Sequence, residues 1–354
     1  MKSMSFLKIG VMALALTVCE PPRSFGANPC AASRPNPESC GVTRSDYSAR
    51  MGEALDLEYR FKTFGIWGIR GFEGPDSNAP IFIEGNGDLV VLYHGFMASP
   101  PEMVPLGRLI NEALGVSIYI PLIPGFGANV EVSQLYRFPD WVNAVEESLQ
   151  WARHCFNKVY VVGYSVGGGL IAHHVLAPDR QTVDGQVLLS PFFKGAPWQQ
   201  TWAGAVATKG LLAVLKSVFQ FKKISLQRIA RITRGNYRDL KILLEDPAIY
   251  DQFFAMRAGM NISDLTRALK SIPNRMTSDV PTAVAISASD QTISRKYALK
   301  FSERHFSDLR STLVLAEEEQ ISHQIVVPHA ELNPAFGKVA DWVVGQLQLM
   351  SEPK

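Results

Sequence analysis

Val159-Tyr160-Val161-Val162-Gly163-Tyr164-Ser165-Val166-Gly167-Gly168-Gly169, running on into Leu170-Ile171-Ala172-His173-His174-Val175-Leu176-Ala177, is the stretch on which the reading of this chain turns. Val159 to Val162 is a short β-branched apolar run and reads as a buried strand, while Leu170 to Ala177 reads as a helix. Between them stands Gly-x-Ser-x-Gly, with Gly163 and Gly167 two residues either side of Ser165. A serine hydroxyl is a poor nucleophile. It becomes an effective one when it is held rigidly and exposed beside donors that can receive an oxyanion. A sharp strand-to-helix turn achieves this, but it forces an unusual backbone conformation and crowds strand against helix. Glycines at 163 and 167 remove the side chains that would clash. The competing reading is a glycine-rich turn at a helix start; the strand before and the helix after favour the nucleophile elbow.

Working upstream, Leu89 to Tyr93 is a buried strand ending in His94-Gly95-Phe96. Ile81 to Glu84 precedes it across Gly85-Asn86-Gly87, a hairpin-like turn signal. Leu57 to Phe72 suits entry strands at a sheet edge. Pro100-Pro101-Glu102 opens a helix to about Leu114, with proline at tolerated first-turn positions. Val116 to Ile120 is the next strand and leads into the loop Pro121 to Gly127. Asp140 to His154 carries helical spacing at Trp141, Val145, Leu149 and Ala152. Downstream of the elbow comes a strand at Gln186 to Ser190. From Phe192 to about Asp279 the pattern is helical segments broken by glycine and proline, with no convincing strand. Strand Thr282 to Ser287, helix Ser294 to Phe306, strand Ser311 to Ala316 and a final helix from about Asn333 to Leu349 restore the alternation. The pattern predicts a mostly parallel, doubly wound α/β sheet with helices on both faces and a helical cap inserted at 192–279 between core segments 57–191 and 280–354.

A serine nucleophile needs an imidazole base, a carboxylate to orient it and oxyanion donors. In such a sheet these groups lie on loops at the carboxyl ends of strands. His94-Gly95-Phe96, Ser165, Ala288-Ser289-Asp290-Gln291 and Ile321-Ser322-His323 all follow strands, in the order Ser, Asp, His. Together with Pro124-Gly125-Phe126-Gly127 and Ser287-Ala288-Ser289-Asp290, these landmarks resemble those of α/β-hydrolases of the bacterial carboxylesterase and monoacylglycerol-lipase kind. The resemblance runs from roughly Asp88 to the C-terminus, and the first eighty residues have no counterpart in it.

That resemblance implies an α/β-hydrolase fold, with Ser165 as nucleophile, His323 as base and Asp290 as its orienter. The N–H groups of Phe96 and Val166 would form the oxyanion hole. It departs at Phe126, where such enzymes often carry a histidine that is no triad member, so the difference concerns loop packing. His329 is the other histidine of the last loop. His323 lies within a short connection of the strand end near Ala316, whereas His329 follows Val326-Val327-Pro328, which turns toward the final helix. Each role has a plainer alternative: Asp290 could cap the helix from Ser294, and His94 reads as a shaper of the oxyanion loop. His173 and His174 read as packing residues behind the elbow, and His154 and His305 as cations suited to helix ends. The implied activity is carboxylesterase or lipase hydrolysis of a small-molecule ester or lipid through an acyl-enzyme, with no cofactor and no metal. An acyltransferase would use the same acyl-enzyme, and a catalytically silent relative would hold an apolar ligand.

Composition bounds the rest. The chain has 354 residues, 47% hydrophobic and 19% charged, with a net charge of +2, which is globular material for a large core. That charge is neutral on the question of nucleic acid, and no such partner is expected. It is uneven, though: residues 194–278 hold 14 Lys and Arg against 5 Asp and Glu. Lys209, Lys216, Lys222, Lys223, Arg228, Arg231, Arg234 and Arg238 form either a solvated face or a dock for an anionic membrane surface. Phe192, Phe193, Trp198, Trp202, Phe219 and Phe221 either line an acyl pocket or hold the cap together. Lys2 and Lys8 before the apolar run Ile9 to Val18 read as a secretory signal peptide over 1–27, too short to span a bilayer. An exported protein, periplasmic or secreted, is expected, with Cys19 as a lipoprotein attachment alternative. In the extension at 28–56, Cys30 and Cys40 are then expected to form a disulfide. Cys155 reads as a buried thiol, and no spacing resembles a metal site.

Overall fold

Alternation of β-branched apolar runs with amphipathic segments builds a seven-stranded sheet flanked by helices. The structure is a computed structural model and describes residues 80–127, 133–178, 180, 183–196, 223–225, 227, 251, 253–329 and 333–352. The signal peptide, Cys19, the Cys30–Cys40 pair, the entry strands at 57–72, Trp198, Trp202, Phe219, Phe221 and most of the basic cluster lie outside these residues. The strands are β1 (Ile81–Ile83), β2 (Leu89–Tyr93), β3 (Ser117–Ile120), β4 (Val159–Tyr164), β5 (Gly185–Leu189), β8 (Thr282–Ser287) and β9 (Leu309–Leu315), in the order β1-β3-β2-β4-β5-β8-β9. The insertion between β5 and β8 adds a separate pair, β6 (Lys223–Ser225) and β7 (Phe253–Ala255). All pairings within the large sheet are parallel except that of β1 with β3.

β2 shows why this sheet forms. It is Leu-Val-Val-Leu-Tyr, fully buried, with β3 on one edge and β4 on the other. Such a continuous apolar run suits a strand covered on both faces. Leu89, Val91 and Tyr93 join one core, and Val90 and Leu92 join the other. The first core is completed by helices α2 (Phe138–Cys155), α3 (Val166–Val175), α4 (Met256–Ser271) and α5 (Arg295–His305), through Trp141, Val145, Ile171, Leu265 and Phe301. The second is completed by α1 (Val104–Leu114) and α6 (Phe336–Ser351), through Leu106, Ile110, Val339, Val343 and Leu347. Each such side chain taken fully from water contributes about 1.5–3 kcal/mol before entropy is counted.

Two expectations need correction. β1 and β2 do not form a hairpin across Gly85-Asn86-Gly87. That turn is fastened instead to the start of β3: the Asn86 N–H donates to Gly115 O (2.7 Å), the Gly85 N–H to Ser117 Oγ (3.1 Å), and Ser117 Oγ to Asn86 O (3.0 Å). β1 therefore lies antiparallel along β3, pairing Ile81 with Ile120, while both edges of β2 are taken by parallel partners. The insertion is also not purely helical, since β6 and β7 pair antiparallel within it. Strands of three residues are too short for a period of two to register.

Part of the insertion belongs to the core. α4 buries Ala258, Leu265 and Leu269, and Phe193 stacks on Phe301 of α5 with ring centroids 4.4 Å apart. Of the two readings of Phe193, packing is the one its contacts support.

Candidate active site

The elbow sits where β4 meets α3. Ser165 has φ 51° and ψ −114°, a conformation costing a non-glycine residue on the order of 1–3 kcal/mol unless its surroundings impose it. They do. The Ser165 N–H donates to Leu189 O (2.9 Å), and its carbonyl accepts from the N–H groups of Phe192 (2.8 Å) and Gly169 (3.1 Å). The flanking glycines answer a spatial demand. A Cβ at Gly163 would stand 2.7 Å from Gly168 Cα, and one at Gly167 would stand 2.5 Å from Tyr93 O and 2.8 Å from His94 O. Gly167 thus lets the start of α3 rest against the end of β2.

Three groups from separate strand ends converge here. Asp290 follows β8, His323 follows β9, and both meet Ser165 after β4. Asp290 Oδ2 lies 2.7 Å from His323 Nδ1, and His323 Nε2 lies 2.8 Å from Ser165 Oγ. A carboxylate oxygen accepts, so Nδ1 carries the proton, and Nε2 presents its lone pair to the serine hydroxyl. Ser165 is 4% exposed, His323 is 5% exposed and the Asp290 side chain is wholly buried. Asp290 does not cap the helix as the plainer reading had it: Oδ1 accepts from the N–H groups of Thr292 (2.7 Å) and Ile293 (3.0 Å), in the loop before α5. One oxygen fixes the loop, and the other faces the imidazole. The His329 carbonyl accepts from the Asn333 N–H (2.7 Å) at the approach to α6.

Val166 is the first residue of α3, where leading N–H groups have no partner within the helix. Phe96 lies in the loop after β2, against which Gly167 packs. That loop is held by a histidine and a glutamate. His94, fully buried, accepts from the Ile123 N–H at Nε2 (3.0 Å), so its proton is on Nδ1, which donates to Gly95 O (2.9 Å). The shaping role expected of His94 has this physical form. Glu102, also buried, accepts from the Gly95 N–H at Oε2 (2.7 Å). Phe126 fills the position where a histidine was the familiar choice, packing edge-on against His94 and Phe96 and lying against Trp141.

Burial holds His94 below the ordinary imidazole value of 6.5, at about 4, against the opposing pull of its bond to Gly95 O. A depressed folded-state value means that stability is complete above pH 6.5 and is lost as the unfolded chain takes up a proton that the native state refuses. Urea unfolding should therefore show stability falling between pH 6.5 and 4, with His94 supplying roughly 2–3 kcal/mol of the loss. His173 is lowered by burial to about 4 as well, so His94→Gln should make this slope shallower without removing it, and an unchanged slope would remove His94 as a source.

Several supports were not foreseen. Tyr164 Oη donates to Gln324 Oε1 (2.9 Å) and reaches His323 O (3.3 Å), while its ring lies against the His323 imidazole at 5.2 Å. Ser287 Oγ donates to Ile321 O, tying the Asp290 loop to the His323 loop. Glu102 carried a weak signal, being an acid amid apolar residues, but it was read as part of a helix start. Three other histidines have structural contacts: His173 packs on Phe138, His174 Nδ1 lies 3.4 Å from Glu146 Oε2, and His305 Nδ1 bonds Met276 O (2.7 Å). Cys155 is a buried thiol at the end of α2. Among the described residues no group of three or more His, Cys, Asp or Glu is placed to hold a metal ion.

Comparison with known proteins places the chain in a family. The family model described as serine aminopeptidase, S33, matches residues 86–327. A thermostable monoacylglycerol lipase from Bacillus sp. (strain H-257) is 36% identical over 95 residues, a stretch spanning 27% of this chain and 38% of that lipase. Among solved structures, a soluble variant of monoglyceride lipase from Saccharomyces cerevisiae, in complex with a substrate analogue, is similar with a TM-score of 0.61 and 16% identity, covering 78% of this chain and 92% of that one. The monoacylglycerol lipase of Paleococcus ferrophilus gives a TM-score of 0.52 and 16% identity, covering 75% and 98%. At that identity the structural likeness establishes the α/β-hydrolase fold.

Proposed function

Because the chain belongs to the serine aminopeptidase S33 family of α/β-hydrolases, we propose that it hydrolyses carboxylic esters, of monoacylglycerol type among them, through an acyl-enzyme on Ser165. The observation that carries this reading is the hydrogen-bonded chain from Ser165 Oγ through His323 to Asp290, mounted on a serine whose backbone is held at φ 51°. His323 Nε2 takes the hydroxyl proton as Ser165 Oγ attacks the ester carbonyl, and Asp290 steadies the imidazolium that results. The oxyanion of the tetrahedral intermediate is received by the N–H groups of Phe96 and Val166. His323 then passes its proton to the departing alcohol. In the second half it takes a proton from the water that attacks the acyl carbonyl, and it returns that proton to Ser165 Oγ as the Oγ–acyl bond breaks and the acid leaves. The 36%-identical stretch shared with a monoacylglycerol lipase supports the choice of substrate class.

The test is turnover of p-nitrophenyl esters of increasing chain length, of monoacylglycerol emulsions and of an aminoacyl p-nitroanilide. Ester hydrolysis that exceeds anilide cleavage supports the reading; anilide cleavage without ester turnover would replace it with a peptidase.

The same proposal covers where the enzyme works. Its N-terminal Lys2, Lys8 and Ile9 to Val18 support export, and the basic excess of 194–278 supports docking on an anionic lipid surface. Replacing Lys222, Lys223, Arg231 and Arg234 with glutamine should weaken binding to anionic vesicles while leaving hydrolysis of a soluble ester unchanged. The attraction should fade with salt, since exposed charges are screened over about 8 Å at physiological ionic strength. Equal vesicle binding by both proteins would reduce these charges to a solvated face.

A further inference from the structure

The loop that carries Phe96 is strained and fastened at several points. Met97, which follows Phe96, is a non-glycine residue at φ 63°, a left-handed conformation that costs about 1–2 kcal/mol and persists where neighbours impose it. Two fastenings act before Phe96: the Ile123 N–H on His94 Nε2, and the Gly95 N–H on Glu102 Oε2. A third acts after it, and it comes from the insertion between β5 and β8. The Asp251 N–H donates to Met97 O (2.7 Å). The Asp251 carboxylate also accepts, at Oδ2, the N–H of Gly127 (3.2 Å). Gly127 stands at φ 64° directly after Phe126, whose ring packs edge-on against Phe96 at 5.5 Å. One residue therefore clamps together the two loops that meet at Phe96, from residues 124 positions apart in the case of Gly127.

We infer that Asp251 is a positioning residue, through which the insertion reaches back onto the core and sets the Phe96 N–H at the oxyanion position. The inference rests on the serine-hydrolase reading above. It differs from a packing role in what it affects: the donor matters most when negative charge has formed on the carbonyl oxygen, so displacing it should lower kcat and leave KM nearly alone.

Asp251→Ala should reduce kcat for p-nitrophenyl butyrate by about 10- to 100-fold with KM within about twofold, the scale of a donor displaced by roughly an ångström. Asp251→Asn keeps an oxygen acceptor for the Gly127 N–H and should stay within about threefold of the parent. A trifluoromethyl ketone, whose hemiketal oxygen would occupy the same position, should lose affinity for Asp251→Ala by the same factor as kcat/KM. Thermal unfolding checks the fold. Should Asp251→Ala fail to fold, Asp251→Ser carries the same expectation, its hydroxyl being too short to reach Gly127. Full kcat in the alanine or serine variant, a loss confined to KM, or an asparagine variant as impaired as alanine would each overturn the inference. Wild-type protein without ester turnover would sink the hydrolase reading; active wild type beside a fully active Asp251→Ala would sink this inference alone.

Discussion

Ser165→Ala is expected to fold as the parent does and to lose at least about 10⁴-fold in kcat/KM for a short soluble ester, the scale on which removing a serine nucleophile acts. The substitution deletes one oxygen atom. Alanine keeps the Cβ already accommodated at φ 51°, and the backbone bonds to Leu189, Phe192 and Gly169 do not involve the hydroxyl. The melting temperature should stay within a few degrees of the parent, since surroundings that impose the elbow are untouched. What is lost is the one atom 2.8 Å from His323 Nε2. An alanine variant that kept more than a few per cent of activity on rigorously purified protein would remove Ser165 from the chemistry.

The second large effect separates two histidines of one loop. His323→Ala should lose on the order of 10⁴-fold or more in kcat, because the hydroxyl is left without a base and acylation fails. This variant should also be less stable by about 1–3 kcal/mol, since the buried Asp290 carboxylate loses its partner at Oδ2 and Tyr164 loses the ring it lies against. His329→Ala should lose at most about tenfold, since alanine keeps the backbone carbonyl that accepts from the Asn333 N–H and leaves the Ser165–His323–Asp290 chain intact. Steady-state kinetics with single-turnover acylation decides between them, and the reverse ranking would reassign the base.

What the amino-acid sequence alone makes legible follows a physical division. The elbow was legible because strand, glycine-flanked serine and helix are contiguous, so every demand it makes is met within about twenty residues. β2, β4 and β8 were legible because buried parallel strands are unbroken apolar runs. Asp290 and His323 could be singled out by their place after strands, and the topology brings them together with Ser165. The pairing of β1 was misread because a Gly-Asn-Gly turn signals reversal without naming the partner. β6 and β7 escaped because three residues carry no periodicity.

The supports of the site were the least legible. Tyr164 meets Gln324 across 160 residues, and Asp251 meets Gly127 across 124. Neither pair obeys a spacing rule, since what joins them is the closure of the sheet and the return of an insertion onto it. Glu102 is the instructive case: a carboxylate beside two prolines marks a helix start, as it does, but no spacing tells that it is also buried and accepts the N–H next to Phe96.

The measurement that bears most directly on the central claim is labelling with a fluorophosphonate, followed by mass spectrometry of the digested protein. Native protein should take up one phosphonyl group, on the peptide containing Ser165. Labelling should be absent in Ser165→Ala and slowed severely in His323→Ala, because the hydroxyl reacts only when His323 Nε2 accepts its proton. Folded native protein that took no label, or carried it on a residue other than Ser165, would contradict the assignment of this chain as a serine hydrolase acting through that residue.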